Sequence, residues 1–335
     1  MYGDAVLRFF YEAVPTLPVP PEVKFEAISA AVFGSKQRRY GPMPVPEVQV
    51  GVRDILRDAI DKRGGVLDVF APWGASKQGD GDPLDVLEFM AMKQLACMRE
   101  ELARFGVRLV FHFRLEDLTD RWLFSDGPVA KIEARRDQIT KYVGDFKALA
   151  GWVLPDAQIR TEGDFVGWHE FRDTAERYTS MFYRVIRGAA GPETLEPIGW
   201  KGGIPQSQRD YYLQTYQHLY PGQDHEKILA RYFAAAMARG KLGAVALPTD
   251  PFVFVTFAHP VPNDPVRKNR LYFRTLPERY THQHFSPWLA KGYLRVTPDG
   301  QCSPRFVGAD KVEDRLTPYT ARFADATVSA PYLEE

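Results

Sequence analysis

The sequence predicts an α/β fold, and three observations predict it. A strand pattern, a glycine-rich loop, a long apolar-striped helix and a second strand follow one another between Val66 and Phe113. Helical and strand patterns then keep mixing towards the C-terminus. The composition, 335 residues with 45% apolar and 26% charged, is that of a globular chain. At roughly 100–200 residues per domain this is one large domain or two closely packed ones, with enough apolar residues to fill a core unaided by disulfide or metal.

The first fifty residues read as an appendage to that core. A short helical pattern from Ala5 to Ala13 runs into Pro15, Pro18, Pro20 and Pro21, and a second, Val23 to Phe33, runs through a basic loop into Pro42, Pro44 and Pro46. Residues 1–47 are therefore expected to form a helical, proline-rich extension, and residues 48–335 one α/β domain. In Val48 to Lys62, Val50, Ile55, Leu56 and Ile60 keep helical spacing until Gly64-Gly65 stops the helix. Val66 to Phe70 alternates as a strand and enters the loop Ala71 to Gly81. Asp82-Pro83 has the chemistry of a helix start, and Leu84, Leu87, Ala91, Leu95, Met98 and Leu102 make one stripe as far as Gly106.

Val107 to Phe113 is the second strand, so the unit is βαβ, which requires a crossover and favours parallel pairing. The fold expected is Rossmann-like: a mixed, partly parallel sheet with helices on both faces. Helical patterns near Glu133–Leu149, Trp168–Arg187, Gln206–Leu219 and His225–Leu242 make the stretch of about 160–245 a helix-rich insertion or subdomain. Strand candidates at Phe252–Ala258, Arg270–Thr275 and Tyr293–Val296 are expected to pair antiparallel.

Several function classes are excluded by what the residues do not form. Basic and acidic side chains balance at 43 each, giving no general attraction for nucleic acid or anionic lipid. No apolar run reaches the ~18 residues of a membrane span, and the N-terminal stretch lacks the order of a signal peptide, so a cytoplasmic protein is expected. Cys97 and Cys302 belong to no Cys-x-x-Cys pair. On a strand His282 and His284 would share a face, but without an identifiable third ligand no metal is expected. P-loop, dinucleotide-fingerprint and nucleophile-elbow motifs are all missing.

Ligands of open α/β sheets bind beyond the carboxyl ends of the strands. That rule selects the loop carrying Ser76 and Lys77 and the turn Phe124-Ser125-Asp126-Gly127; the acids of Thr161 to Phe165, and the strand end that delivers His259-Pro260 before Arg267, Lys268 and Arg270, are further candidates. A histidine beside cations suits proton transfer and phosphate binding. Each segment is equally readable as a capped turn or a solvated loop.

The order of these segments resembles the isonitrile (isocyanide) synthase family, which includes the pyoverdine/dityrosine-biosynthesis proteins. The resemblance runs from Val52 to Arg305. It rests on Phe70 to Lys77, Pro83 to Glu88, Phe124 to Val129, Gly163-Asp164-Phe165, Ala230 to Arg239, Val255 to Pro260 and Ser286-Pro287-Trp288-Leu289. It implies an enzyme of specialised metabolism that joins an amino-acid amine, often that of tyrosine or tryptophan, to ribulose 5-phosphate and leaves an isonitrile. No metal or nicotinamide cofactor is implied; the partners are small molecules, and a homodimer is compatible.

Carried onto this sequence, the resemblance places Lys77, Arg231, Lys268 and Arg270 towards the sugar phosphate. His259 and Asp126 serve proton transfer or orientation, and Glu88 or Asp164 faces the amine. Ser76, Ser125 and Trp288 complete the substrate-binding set. Against the family pattern, Ser76-Lys77 reverses the usual Lys-Ser order, and Leu289 stands where the family has histidine. A related amine-modifying or carbon-transfer enzyme, or a non-catalytic small-molecule-binding homologue, is the alternative expectation.

Overall fold

The computed structural model describes residues 4–6, 8, 46–77, 83–123, 125, 129–220, 222–245, 247–257, 269–272, 287–307, 313–323 and 325–334. Helix α1 (Pro46–Lys62) buries Val52, Leu56 and Ala59, which recur at helical spacing. Gly64 and Gly65 then take positive φ and turn the chain into β1 (Val66–Trp73). A Cβ on Gly65 would lie 2.4 Å from the carbonyl oxygen of Gly106, so glycine is required where these two turns meet. After β1 come α2 (Val86–Ala103) and β2 (Arg108–Leu115), and β1 pairs parallel with β2 along its whole length, from Val66↔Arg108 to Trp73↔Leu115.

Helix α2 begins later than the sequence suggested. Its cap is Asp85, whose side chain accepts from the Leu87 amide, while the Glu88 side chain accepts from the Asp85 amide at 3.0 Å. This reciprocal arrangement satisfies two amides that the first helical turn would leave without partners, which is why Asp85 outcompetes the Asp82-Pro83 signal.

Beyond β2 lie α3 (Asp117–Leu123), α4 (Val129–Val153) and β3 (Gln158–Thr161). The chain then makes a long helical excursion through α5 (Trp168–Ile186), α6 (Gln206–Leu219) and α7 (His225–Lys241), before β4 (Phe252–Thr256) and β5 (Arg270–Tyr272). The principal sheet has five strands in the order β3-β2-β1-β4-β5, and every pairing in it is parallel. The antiparallel expectation for Phe252–Ala258 and Arg270–Thr275 is corrected accordingly: β4 joins β1 and β5 joins β4, both parallel. Antiparallel pairing starts at β6 (Gly292–Val296), which meets β7 (Cys302–Phe306). A hairpin of β8 (Thr320–Phe323) and β9 (Ala326–Ser329) follows, and β10 (Tyr332–Glu334) adds to β6.

Among the described residues the apolar side chains gather in two large cores and a small cluster of Tyr293, Val307 and Leu333. The larger joins Leu67, Val69, Ala71 and Trp73 of β1 to Phe111 and Phe113 of β2, Val253 and Val255 of β4, and the buried faces of α1, α2 and α4. Ala5 and Val6 are buried in it. The smaller core joins Leu118 and Trp122 of α3 to α5 and α7, where Ala230, Ala234, Ala235 and Ala238 allow close helix packing. The helical region thus recruits α3 from outside the 160–245 stretch. No helix of the described residues is long and apolar enough to cross a membrane.

Candidate functional site

From β1 the chain builds outward through β2 to β3, then returns to lay β4 on the other side of β1. Connections therefore leave β1 and β4 in opposite directions, and the carboxyl ends of these two strands are where open sheets of this kind place their ligands. Aromatic rings cluster at this end of β1. Trp73 meets Phe257 at 5.4 Å and Trp288 at 5.1 Å between ring centres, and Trp288 lies so close over Gly74 that a Cβ there would sit 2.4 Å from the indole.

Lys77 turns inward from this point and is 1% exposed. Its ammonium lies 2.8 Å from Glu88 Oε2, 2.9 Å from Asp85 Oδ1 and 2.6 Å from the Pro287 carbonyl oxygen, so each of its N–H groups has an acceptor. Tyr142 donates to Glu88 Oε1 at 3.1 Å, and the Trp73 indole donates to the Tyr142 oxygen at 3.2 Å. Burial, opposed by Lys77 and reinforced by Asp85, pushes the Glu88 carboxyl up to about 8. Two carboxyl groups share one ammonium away from water, and the proton retained by Glu88 balances the charge.

Ser76, the preceding residue, turns the other way. Its hydroxyl donates to Asp120 Oδ2 at 2.9 Å and accepts from Arg135 Nη2 at 2.8 Å, while the Ala75 amide donates to the same Asp120 oxygen at 2.7 Å. Among the described residues Asp120 Oδ1 carries no hydrogen bond. Burial pushes Asp120 up to about 7 against the pull of Arg135, with Glu116 adding to the rise. Tyr220, at the end of α6, faces both charges: burial raises its phenol first, Asp120 raises it further, and Arg135 opposes. Tyr216 stands beside it, ring centres 6.0 Å apart.

A third cluster ties the helical region to the sheet. Arg239 of α7 lies 2.7 Å from Glu116 and 3.2 Å from Glu162, and Arg114 donates to Glu116 at 2.6 Å. Glu162 also accepts from the amide and hydroxyl of Thr119. Burial would raise both acids. Arg239 and Arg114 outweigh it at Glu116, which stays below its usual range, whereas Glu162, with Glu116 adding to burial, is held up at about 7.

The expected site residues separate clearly. Ser76 is buried between Asp120 and Arg135. Lys77 and Glu88, expected on the phosphate and the amine, are instead each other's partners inside the protein, because a buried ammonium is tolerable only when surrounded by acceptors. Asp164 is a local cap: exposed, it accepts from the Thr161 amide at 2.8 Å. Ser125 donates to the Trp122 carbonyl oxygen at 2.9 Å. Arg231, buried, stacks on Trp122 at 4.6 Å and donates to the carbonyl oxygens of Trp122 and Leu123 at the end of α3. Arg270 is half-buried over the Phe254 ring, and Trp288 packs on Trp73. Asp126, His259, Lys268, His282 and His284 lie outside the described residues. Among the described residues no group of histidine, cysteine and acidic side chains is placed to hold a metal.

Sequence reasoning missed Asp120, Arg135, Glu116 and Arg239. The acidic run Glu116-Asp117…Asp120 just after β2 was the available signal, since it sits at the carboxyl end of a strand. Arg135 carries no such mark on its long helix.

Neither a family model nor a curated protein sequence matches the chain. Among solved structures it is similar to PvcA from Pseudomonas aeruginosa, at 14% identity over 91% of this chain and 99% of that one, with a TM-score of 0.54. Partial similarities extend to AlbC, a cyclodipeptide synthase from Streptomyces noursei (15% identity, 63% of this chain and 96% of that one, TM-score 0.33). They also extend to a tyrosyl-tRNA synthetase from Archaeoglobus fulgidus (9% identity, 69% and 55%, TM-score 0.33). What the first of these establishes is architecture: over nearly its full length, this chain has a fold similar to that of PvcA.

Proposed function

We propose that this chain is an isonitrile-synthase-like enzyme of specialised metabolism, condensing the amine of an amino acid with the ketone of ribulose 5-phosphate. The observation that carries the reading is the near full-length fold likeness to PvcA, which agrees at family level with the resemblance found in the motif order. The carboxyl end of the sheet supplies matching chemistry. Imine formation needs a group that both gives and takes a proton near neutrality, and Asp120, held at about 7, stands at the carboxyl end of the sheet.

In this reading His259 and Asp126 stay in the proton-transfer set, and Lys268 with Arg270 and Arg231 serves the phosphate. Ser76, Ser125 and Trp288 shape the substrate site, while Lys77 and Glu88 belong to the scaffold. Ribulose 5-phosphate is a substrate, no resident cofactor is needed, and the cytoplasm is where both substrates would be met.

The test is turnover by the purified protein. Amino acids offered with ribulose 5-phosphate should give a product with the isocyanide infrared stretch; failure to bind the pentose phosphate and to turn over any amino acid would overturn the reading. A second reading, another amine-modifying or carbon-transfer reaction on the same scaffold, is favoured by the internal pairing of Lys77 with Glu88. It would be recognised by consumption of an amino acid without that band.

A further inference from the structure

We propose that the open edge of the principal sheet, strand β3 with the turn that leads into it, is a docking surface for a second copy of this chain, the two copies pairing antiparallel about a twofold axis through Gln158. The inference is independent of the reaction proposed above.

Among the described residues β3 (Gln158–Thr161) is an end strand of the principal sheet, pairing with β2 on one side only. An end strand carries a row of backbone N–H and C=O groups aimed at the place of a further strand. Its side chains alternate. Ala157 and Ile159 pack against the larger core, while Asp156, Gln158 and Arg160 are exposed. Among the described residues Asp156 and Arg160 have no ion-pair partner. Arg160 stands in register with Arg114 of β2, so its neighbour within the sheet has the same sign, and Arg114 is already engaged with Glu116.

Charge on an edge ordinarily keeps other strands away, because cations of two copies repel. Here the arrangement has the opposite effect, since Asp156 and Arg160 lie symmetrically on either side of Gln158. In an antiparallel pairing about Gln158, Ala157 meets the partner's Ile159 and Asp156 meets the partner's Arg160. The twofold makes this ion pair twice, and opposite charges facing each other across strands attract. Two aromatic rings flank the same edge. Trp152, near the end of α4 and resting on Phe89, and Phe165, just beyond β3, are each 40% exposed, and they are two of the three exposed large apolar side chains of the described residues. Antiparallel pairing brings the start of one strand to the end of the other, so Trp152 of each copy approaches the partner's Phe165 and adds an apolar contact at both ends.

The experiment is sedimentation of the full chain over a dilution series, repeated with R160D, D156R, the double variant D156R/R160D and an equimolar mixture of the two single variants. The wild type should sediment as a dimer that dissociates on dilution and more readily in high salt. R160D and D156R each set like charges opposite one another twice, and each should weaken self-association by about tenfold to a hundredfold. The double variant exchanges the two charges and should associate as the wild type does. The mixture should form a heterodimer, because the acidic edge of one single variant meets the basic edge of the other. Both positions are exposed, so the substitutions should leave the fold intact, which matching circular dichroism spectra would check. A wild type that stays monomeric throughout overturns the proposal and leaves the edge to a different chain. A dimer that R160D and D156R leave unchanged overturns it too, since another surface then forms the interface. So does failure of both the double variant and the mixture to recover association.

Discussion

Ser76 and Lys77 are consecutive residues with opposite fates. Lys77 is surrounded by Asp85, Glu88 and the Pro287 carbonyl, a polar cluster closed on every side, whereas Ser76 joins Asp120 and Arg135 in a cluster with one carboxylate oxygen left over. The two share a loop and differ in completeness. A closed cluster of buried charges holds its surroundings in one arrangement, because displacing any member strands the others. A cluster satisfied on one side only keeps an acceptor in reserve.

That contrast can be broken by substitution. The largest effect should come from K77M, which leaves Asp85 and Glu88 buried together without their cation; a loss of about 3–5 kcal/mol in chemical denaturation is expected. A loss below about 1 kcal/mol would mean that the closed cluster is not what holds the loop. G74A should cost about 1–3 kcal/mol, because its Cβ would sit 2.4 Å from the Trp288 ring and the indole must move.

E88Q keeps an acceptor for Lys77 and should cost only about 1 kcal/mol, but it should change the pH dependence of stability. The folded-state value of Glu88 is raised from 4.5 to about 8, so the folded protein holds a proton that the unfolded chain has released. The stability from this group is complete below about 4.5 and lost as pH rises through about 8. E88Q should therefore show a shallower decline over that window than the wild type, and an unchanged slope would count against the raised value. The smallest effect on stability should be that of D120N, within about 1 kcal/mol at pH above 7, since the asparagine oxygen still accepts from Ala75. Its consequence should appear in turnover instead.

The first half of the sheet was readable because its signals are local. Alternation in Val66–Phe70, the stripe from Leu84 to Leu102, and glycines at 65 and 106 fix β1, α2 and β2 without reference to anything distant. The helices Gln206–Leu219 and His225–Lys241 were equally open to reading, with Asp224 capping the second. Pairing was not. Phe252–Thr256 has the same alternation whether it joins a neighbour antiparallel or β1 parallel, and only the course of the intervening helices decides. The site suffered in the same way. Ser76 stood out in a glycine-rich loop, but the roles of Ser76 and Lys77 depend on which way each side chain points. That is decided by Asp120, Arg135 and Glu88, reached through contacts 44, 59 and 11 residues away. Asp85 lost to Asp82-Pro83 because a proline after an acid is a strong local start signal, while a capping box shows only when its fourth residue is counted.

One contact sets an order of events during synthesis. Lys77 is capped by the carbonyl of Pro287, 210 residues downstream, and Asp85 accepts from the amide of Gly292 at a separation of 207. As the chain leaves the ribosome, β1 and α2 can assemble early, but the ammonium at their junction must wait for the last of its acceptors. A product truncated before residue 287 would therefore keep the carboxyl partners of Lys77 but leave one of its buried N–H groups without an acceptor, so the C-terminal part of the chain is what completes the junction of β1 and α2.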